Sequence, residues 1–374
     1  MSVPEIAVVT GGAGLIGSHI VDELLQRGYH VRIIDNLHPQ THKNGKPNWI
    51  SKEVEFFHKD VRNLDSLKSV VKDAKFIFHQ AAFGGFTSES SEYFDVNVTG
   101  TARIFEAIEL TKTEPASVIV ASSQAIFGEL NYLSQETGQI VHPEMRKLAN
   151  LKNQFWDHID EMGNTLIPLP AREEMKMRGI TPYALSKIGQ EKCALGAGRR
   201  LGISTACIRY GVTFGPRQSI TNPYTGVMSI FANRLRNNLP PIVYEDGKQI
   251  RDFVFVRDQA KLNIELAESG SYFNLAINSG TGVKTRIIDL ANQLQRIIGG
   301  PVPLLSGQYR PGDARHFFHS TELMNSMGFQ NSIDLSQGIQ EFLNWFETQP
   351  VESDFFEESQ SILAAKGILR KIGD

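Results

Sequence analysis

The sequence predicts an α/β fold, built on a doubly wound parallel sheet with a smaller α/β lobe in the C-terminal half. Three observations lead to this prediction. In the first half, short apolar runs alternate with segments of helical periodicity, which is typical of β-α-β units. A glycine-rich turn joins the first apolar run to the first helical segment. After Gly211 the composition changes to loops rich in glycine, proline and asparagine between helical segments, as expected of a lobe that covers a sheet.

The strands of the sheet are predicted from apolar runs with polar or glycine boundaries. The six runs span residues 6–10, 31–34, 54–57, 76–79, 118–121 and 204–208. The first helix is expected over 15–27, where Ile16, Ile20 and Leu24 recur at helical spacing. Because parallel strands need crossover connections, and these are right-handed, the alternation predicts a doubly wound sheet.

The chain is predicted to divide into a sheet domain, a second lobe and a tail. The sheet domain comprises 1–208 and 247–275, and its polar stretch of about 131–178 is interpreted as a surface insertion with a short helix near 150–158. The second lobe comprises 209–246 and 276–350, with helices near 227–237 and 286–298. The tail, 351–374, has helical character around 357–366 and no assignable role.

The composition excludes several classes of protein. A net charge of −3 gives no general attraction to nucleic acid or to an anionic membrane. Two cysteines, Cys193 and Cys207, exclude a disulfide framework and argue against a thiolate metal site. The chain starts without a basic leader and has no apolar run near the about 18 residues that span a bilayer. We therefore expect a cytoplasmic protein with no metal.

The glycine-rich turn predicts a phosphate-binding site. Residues 10–17 read Thr-Gly-Gly-Ala-Gly-Leu-Ile-Gly. In such a turn Gly11 permits the tight bend, Gly14 lets a pyrophosphate approach the backbone, and Gly17 lets helix and strand pack closely. The amides at the helix start, including those of Leu15 and Ile16, would then face the phosphates.

An acidic residue, Asp35, ends the second predicted strand at the distance expected of a Rossmann dinucleotide site. A carboxylate there accepts hydrogen bonds from both ribose hydroxyls and repels a 2′-phosphate, so the sequence favours NAD over NADP. A glycine pattern alone would be weak support, because turns everywhere use glycine. Its position at the first strand-to-helix junction, followed by Asp35, makes NAD the expected cofactor.

A tyrosine and a lysine, Tyr183 and Lys187, lie four residues apart and therefore on one helix face. A phenol with a pKa of about 10 is a poor base unless a neighbouring cation favours the phenolate. Ser122 and Ser123 end an apolar strand at the sheet edge where α/β proteins bind ligands. The tyrosine–lysine pair alone would be typical of a solvated helix face. The serines and the glycine turn favour a catalytic site, whereas His79 is interpreted as a structural or cofactor-lining residue.

Together these motifs resemble the extended short-chain dehydrogenases/reductases. The resemblance rests on the glycine turn, Asp60-Val-Arg62, His79-Gln-Ala-Ala82, Asn97, the serine pair and Tyr183-x-x-x-Lys187, and it extends over about residues 5–348. It implies an NAD site formed by the following residues: Gly11, Gly14, Leu15, Ile16, Gly17, Asp35, Asn36, Asp60, Val61, Gln80, Ala81, Ala82, Asn97, Ser122, Tyr183, Lys187 and Tyr210.

Motifs in the second half resemble the sugar-nucleotide epimerases, with greatest similarity to dTDP-L-rhamnose 4-epimerases. These motifs are Phe214-Gly-Pro-Arg-Gln218, Asn222-Pro-Tyr-Thr-Gly226, Glu245-Asp-Gly247, Arg251-Asp-Phe253 and Arg310-Pro-Gly-Asp313. Independently of the family, a guanidinium fork matches phosphate oxygens, so Arg251 and Arg310 are sensible diphosphate ligands. The resemblance implies a substrate site formed by Ser123, Gln124, Arg217, Asn222, Tyr224, Arg251, Arg310 and Asp313.

Two features depart from the family pattern. Val212 stands where many relatives carry an asparagine that contacts the substrate, and the insertion lacks the cysteine pair of many rhamnose epimerases. The dehydratases and decarboxylases of this type carry acidic residues just after the catalytic serine or threonine. Here those positions hold Gln124 and Ala125, which cannot act as general acids or bases.

The resemblance therefore implies a 4-epimerase that keeps its NAD bound through a transient 4-keto sugar. Tyr183 would act as base and then acid, Lys187 would tune its pKa and bind ribose, and Ser123 would pair with the sugar hydroxyl. The alternatives are a dehydrogenase or reductase that releases NADH and, in another class, a silent NAD sensor. A homodimer built from helices near 93–110 and 183–199 is implied, and the insertion is interpreted as a lid or as a surface elaboration.

Overall fold

A seven-stranded parallel sheet organises the fold. The computed structural model describes residues 4–85, 90–220, 222, 226–270, 272–354 and 356–372. The strands are β1 Ile6–Thr10, β2 His30–Asp35, β3 Glu55–His58, β4 Ala74–His79, β5 Ser117–Ser123, β6 Tyr132–Leu133, β7 Ile140–Val141, β8 Ile167–Pro168, β9 Thr205–Tyr210, β10 Val212–Phe214, β11 Ile242–Val243, β12 Ile250–Arg251, β13 Phe253–Phe255, β14 Leu275–Ser279, β15 Thr285–Arg286 and β16 Leu304–Leu305.

The helices lie on both faces of the sheet and in the second lobe. They are α1 Leu15–Gln26, α2 Leu64–Val71, α3 Ser90–Phe94, α4 Gly100–Thr111, α5 Leu148–Lys152, α6 Pro182–Leu201, α7 Val227–Arg236, α8 Val256–Ser269, α9 Ile287–Ile298, α10 Glu322–Ser326, α11 Leu335–Glu347 and α12 Phe356–Ala365. A π-helical turn, Asp95–Thr99, precedes α4, and a 3₁₀ turn, Gln124–Phe127, follows β5. None of the helices in the described part of the chain is both long and apolar enough to cross a bilayer.

The sheet has the order β3-β2-β1-β4-β5-β9-β14, and every pairing in it is parallel. The strand order reverses between β1 and β4, which places a ligand crevice at their carboxyl ends. The predicted fold class is confirmed, and all six predicted strands lie in this sheet. The seventh strand, β14, was missed because Asn278 and Ser279 interrupt its short apolar run.

Three large clusters of buried side chains form the cores of the two lobes. One face of the sheet packs on α1 and α8 through residues such as Ile20, Leu24 and Ile264. The other face packs on α2, α4 and α6. The second lobe has its own core, in which Phe214, Phe255 and other apolar side chains of β10, β13, α7, α9 and α11 meet.

The boundaries between the lobes differ from the predicted ones in three places. Phe253 and Phe255 of β13, which were assigned to the sheet domain, lie in the core of the second lobe. The last strand of the sheet, Leu275–Ser279, crosses the predicted boundary at residue 275. Met324 of α10 and Phe329, which were assigned to the second lobe, pack instead into the core of the sheet domain. The predicted boundaries followed changes in composition, and short elements that return to a distant core have too few residues to show a periodicity.

The segment 131–178, of which many residues are exposed, is anchored to the rest of the structure at several points. It forms a small antiparallel sheet of β6, β7 and β8, and its Leu151 and Trp156 pack on Tyr309 of the second lobe. Its polarity reflects buried ion pairs: Arg315 has no exposed surface, and its guanidinium contacts Asp157 at 2.7 Å. Part of the charge of this insertion is thus buried in ion pairs, because charged residues that pair with one another can be buried.

Substitution by alanine at two glycines of α6 should have opposite effects on the free energy of unfolding. A Cβ on Gly198 would lie 2.1 Å from Thr205 Oγ1 on β9, whereas a Cβ on Gly196 would meet no atom within 4 Å. Gly198→Ala should lower the free energy of unfolding by about 1–3 kcal/mol through overpacking. Gly196→Ala, the matched control, should raise it by about 0.5–1 kcal/mol through helix propensity. Urea denaturation of both variants checks this, and equal effects would contradict the close packing of α6 on the sheet.

Candidate active site

The start of α6 sets the position of the predicted catalytic pair. Thr181 caps the helix, its Oγ1 accepting a hydrogen bond from Ala184 N at 3.2 Å, and Pro182 occupies the first helical position. A capping threonine followed by proline is a strong local signal for a helix start. The helical phase then places Tyr183 and Lys187 on the side facing the end of β5, with Lys187 only 2% exposed.

Tyr183, Lys187 and Ser123 are brought together at the carboxyl end of β5. Lys187 Nζ lies 6.0 Å from the centroid of the Tyr183 ring, and Ser123 is hydrogen-bonded to Tyr183. Lys187 Nζ also donates to Ala121 O at 2.9 Å and to Gln190 Oε1 at 2.8 Å. An ammonium has three donors, so these two bonds leave one N–H for a ligand or for the tyrosine.

Burial shifts both titrating groups of this pair. It lowers the pKa of Lys187 to about 7, because a desolvated ammonium is less stable than the neutral amine. It also raises the pKa of Tyr183, and the hydrogen bond with Ser123 opposes that rise. Charged and neutral Lys187 are therefore close in free energy near neutral pH, so a bound charge next to the site can select between them.

The side chain of Ser122 has a structural role. Its hydroxyl donates to Glu191 Oε2 at 2.7 Å, and Glu191 is paired with Arg209 at 2.7 Å in the buried interior. A hydroxyl carries one proton, which in Ser122 is committed to Glu191. Ser122 thereby holds the end of β5 against α6, whereas Ser123 is the serine beside Tyr183.

A chain of buried hydrogen bonds joins Lys187 to the first strand. Gln190 Nε2 donates to Thr101 Oγ1 at 3.1 Å, and His79 Nε2 lies 2.8 Å from the same oxygen. Thr101 donates its own proton to Asn97 O at 2.6 Å, so His79 must carry its proton on Nε2. His79 Nδ1 then accepts from Thr10 Oγ1 at 2.7 Å. Burial lowers the pKa of His79 to about 3, so it is neutral.

The glycine turn has the close contacts that the sequence predicted. A Cβ on Gly11 would lie 2.7 Å from Ala81 N, and a Cβ on Gly17 would lie 2.2 Å from Gly11 O. Gly11 also has a positive φ of 66°, which favours glycine. No side chain caps the N-terminus of α1. The first amides of this helix are thus available to an anion, which fits a dinucleotide diphosphate.

One crevice gathers most of the predicted cofactor residues at the carboxyl ends of β1, β2 and β4. It is lined by Gly11, Gly14, Asp35, Asn36, Asp60, Val61, Gln80, Ala81 and Ala82. Asp35 accepts hydrogen bonds from Ala13 N at 3.0 Å and Leu37 N at 2.8 Å, which hold its carboxylate rigidly at the crevice. A carboxylate at the end of β2 and the uncapped N-terminus of α1 together fit an adenine dinucleotide.

Sequence reasoning missed several residues of the same crevice. They are His38, Thr41, His42, Arg62, Phe83, Glu92 and Val96. Arg62 and Phe83 directly follow predicted site residues, so adjacency could have found them. The others come from loops and from the segment before α4, where no periodicity or motif marks them. Arg62 is bonded to Asp60 at 2.9 Å, and this pairing lowers the pKa of Asp60 against the opposing effect of its burial.

Two predicted cofactor residues are bonded within the protein. Asn97 has no exposed surface; its Nδ2 donates to Phe83 O at 3.0 Å and to Ser186 Oγ at 2.9 Å. The hydroxyl of Tyr210 donates to Gln80 Oε1 at 3.0 Å and accepts from Asn263 Nδ2 at 2.7 Å. Both residues hold crevice-lining segments in place.

The predicted substrate residues fall into two groups. Arg251 and Asp313 are close enough to interact electrostatically. The turn that carries Arg310 and Asp313 adjoins the start of α6, where a Cβ added at Gly312 would be 4.0 Å from Thr181 Cγ2. The three guanidinium bonds of Arg251 go to backbone carbonyls, those of Ile250, Ala314 and Arg315, at 2.8–3.1 Å. Among the described residues, no carboxylate lies within 4.0 Å of its nitrogens.

The remaining predicted substrate residues are placed separately. Arg217 is bonded to α1, through Ser18 O at 3.1 Å and Asp22 at 2.6 Å, so the structure places its guanidinium in an interlobe contact. Asn222 is buried, and Tyr224 lies outside the described residues. Gln124, in the 3₁₀ turn after Ser123, has a buried Oε1 with no hydrogen-bond partner among the described residues.

Comparison with known proteins shows extensive similarity. The NAD dependent epimerase/dehydratase family matches residues 7–145 and 161–276. The chain is 32% identical over 346 residues to dTDP-L-rhamnose 4-epimerase of Burkholderia thailandensis, covering 90% of this chain and 94% of that one. It resembles UDP-glucose 4-epimerase of Thermus thermophilus in complex with NAD, with a TM-score of 0.72, 27% identity and coverage of 92% and 100%.

A third relative has a similar fold over the same length. UDP-N-acetylglucosamine 4-epimerase of Methanobrevibacter ruminantium M1, in complex with UDP-N-acetylmuramic acid, has a TM-score of 0.74 and 28% identity, covering 93% of this chain and 100% of that one. The two family-matched stretches leave residues 146–160 unmatched, and these lie inside the insertion.

The pKa of Lys187 predicts how stability depends on pH. In the unfolded chain this pKa is 10.5 and in the fold it is about 7, so between these values the unfolded state binds more protons. The free energy of unfolding should therefore fall as pH drops from 10.5 towards 7, relative to Lys187→Met. Urea titrations of both proteins at pH 7.5 and about pH 9.5 measure the difference. A difference that does not change with pH would contradict the burial of a neutral lysine.

Proposed function

We propose that this chain, which belongs to the NAD dependent epimerase/dehydratase family, inverts C4 of a dTDP- or UDP-linked hexose or 6-deoxyhexose. The chain is an NAD-dependent nucleotide-sugar epimerase, and its cofactor is NAD. What is proposed is the carbon that is inverted and the sugar nucleotide that carries it. The observation that carries the proposal is the proximity of the start of α6, which bears Tyr183 and Lys187, to the turn that bears Arg310 and Asp313: a Cβ added at Gly312 would lie 4.0 Å from Thr181.

Tyr183 is proposed to accept the proton of the sugar's C4 hydroxyl and later to return it. Ser123, hydrogen-bonded to Tyr183, orients that hydroxyl. Lys187 holds a position fixed by Ala121 O and Gln190, and a proton on its amine favours the phenolate of Tyr183. NAD held in the crevice lined by Gly11, Asp35 and Gln80 would supply the hydride acceptor for C4 and the hydride donor for the other face of the 4-keto sugar.

The residues after Ser123 favour epimerisation over elimination. Gln124 and Ala125 begin the 3₁₀ turn that follows β5, and neither can move a proton from the sugar ring. The unpartnered Oε1 of Gln124 is an acceptor suited to a sugar hydroxyl, because a buried acceptor left without a donor is costly. A substrate hydroxyl would satisfy it.

Arg251 supports a diphosphate-bearing substrate. Its guanidinium is held by carbonyls only, and burial lowers its pKa although Asp313 and Glu245 act in the opposite direction. A buried cation without a hydrogen-bonded counter-ion is unfavourable, so an anionic ligand would stabilise it. Arg310, which lies 5.0 Å from the centroid of the Tyr244 ring, provides a second cation for the same diphosphate.

We also propose that two copies of the chain associate through α4 and α6. Leu110 and Leu185 on these helices are 61% and 44% exposed, and Phe94 beside them is 40% exposed. Exposed apolar side chains distributed along neighbouring helices favour association in water. Sedimentation of the protein should show a dimer, and a monomer at micromolar concentration would oppose this part of the proposal.

The first experiment is incubation of the protein, with no NAD added, with dTDP-rhamnose, UDP-glucose, UDP-glucuronate and GDP-mannose. Mass spectrometry and NMR of the products should show one substrate converted to an isomer of unchanged mass, inverted at C4. Loss of water or carbon dioxide would contradict the roles given to Gln124 and Ala125. Conversion that requires added NAD and accumulates NADH would identify a dehydrogenase instead.

Tyr183→Phe tests the proton-transfer step directly. The variant keeps the ring and removes the hydroxyl, so kcat should fall about 10²- to 10⁴-fold, with KM for the nucleotide sugar and NAD content nearly unchanged. Lys192→Arg, at an exposed position of the same helix, is the control and should leave kcat unchanged. A Tyr183→Phe variant with wild-type kcat would rule out this residue as the base.

A further inference from the structure

The C-terminal tail, for which the sequence offers no role, is docked firmly on the second lobe. Phe356, Leu363 and Leu369 are buried, with 6%, 0% and 2% exposure. Asp354 forms an ion pair at 2.7 Å with Arg234 of α7. Apolar burial and a partly buried ion pair therefore hold the tail against the lobe.

The tail reaches the proposed diphosphate site through the main chain. Arg370 and Tyr309 form an antiparallel bridge, in which Tyr309 N donates to Arg370 O at 3.0 Å and Arg370 N donates to Tyr309 O at 2.9 Å. Tyr309 directly precedes Arg310. The bridge thus fixes the backbone from which the Arg310 side chain departs.

A side-chain contact from α12 leads to the same arginine. The hydroxyl of Tyr244 donates to Gln360 Oε1 at 2.5 Å, and Arg310 Nη2 donates to that hydroxyl oxygen at 3.4 Å. Because a phenol has one proton, donating it to Gln360 turns the oxygen lone pairs towards the guanidinium. The guanidinium carbon also lies 5.0 Å from the centroid of the Tyr244 ring, within the range of a cation–π contact.

We propose that the tail is a positioning element for substrate binding, in which Gln360 orients Tyr244 and Tyr244 orients Arg310 towards the diphosphate of the nucleotide sugar. This inference rests on the proposed function, in which Arg310 binds that diphosphate. Gln360 and Tyr244 are positioning residues and touch neither the sugar nor the cofactor in the proposal. A long arginine side chain held in one rotamer loses less conformational freedom when the ligand binds.

Variants of this contact chain should affect binding and leave the chemistry unchanged. Gln360→Leu removes the acceptor, and Tyr244→Phe removes the hydroxyl while keeping the ring. Each should raise KM for the nucleotide sugar roughly three- to tenfold, with kcat within about twofold of wild type. Since both variants break one chain of contacts, the double variant should raise KM no more than the stronger single one.

The experiment measures steady-state kinetics of the holoenzyme and calorimetric binding of UDP and dTDP for these variants and for Arg310→Met. Ser361→Ala, an exposed neighbour of Gln360 whose hydroxyl bonds only within α12 in the described structure, is the matched control and should match wild type. Thermal unfolding identifies any variant that loses the fold, and Tyr244→Phe, which keeps the packing of the ring, then decides the test.

The outcomes separate this inference from the proposed function. If Arg310→Met raises KM but Gln360→Leu and Tyr244→Phe do not, the positioning role is overturned and the diphosphate role of Arg310 stands. If Arg310→Met leaves KM and UDP and dTDP binding unchanged, the proposed diphosphate site itself fails. Additive increases in KM for the double variant, or a fall in kcat alone, would also overturn the positioning chain.

Discussion

A lysine ammonium that is removed from water must be met by acceptors, and the fold around Lys187 supplies them from two elements. Ala121 O, near the end of β5, and Gln190, one turn further along α6, each accept a hydrogen bond from Lys187 Nζ. The reach of Nζ to a strand carbonyl requires α6 to lie very close to the sheet. Gly198 permits this, because any side chain there would collide with Thr205 of β9. Thus the placement of Tyr183, the proposed base, depends on a lysine contact made four residues later.

Buried ion pairs join the second lobe to the sheet domain, in addition to apolar packing such as that of Phe317 on Phe127. Arg315 is fully buried and is bonded to Asp157 of the insertion and to Glu245 and Asp246 of the second lobe, while its backbone donates to Glu129 after the 3₁₀ turn. Burying such pairs has a large desolvation cost, so they contribute more to a unique arrangement than to stability. Within the described structure these ion pairs hold part of the insertion against the second lobe, and they give no support to the idea of a mobile lid.

The parts of the fold that obey a local rule could be predicted from the sequence. Six of the seven parallel strands, the glycine turn and the helix that bears Tyr183 and Lys187 each depend on residues within a few positions of one another, and these were located. The parts that depend on distant pairing could not be predicted. Nothing near Arg315 indicates its partners, His79 has no motif that reveals Thr101 and Gln190, and the role of Gln360 depends on Tyr244, more than a hundred residues away. A local motif can also misplace a side chain. The motif around Arg217 placed it in the substrate site, whereas in the folded chain its guanidinium is bonded to α1.

The directions of the hydrogen bonds around His79 determine whether protons can be transferred along this network. Donors from His79 and from Gln190 converge on Thr101, whose proton goes to the carbonyl of Asn97. An amide side chain and a carbonyl do not transfer protons, so this chain of hydrogen bonds ends inside the protein. A proton taken from the sugar cannot leave Lys187 by that route. An isomerisation consumes and releases no protons in total and can work with such a dead end, whereas an oxidation that discharges one proton per turnover would need a separate exit to solvent.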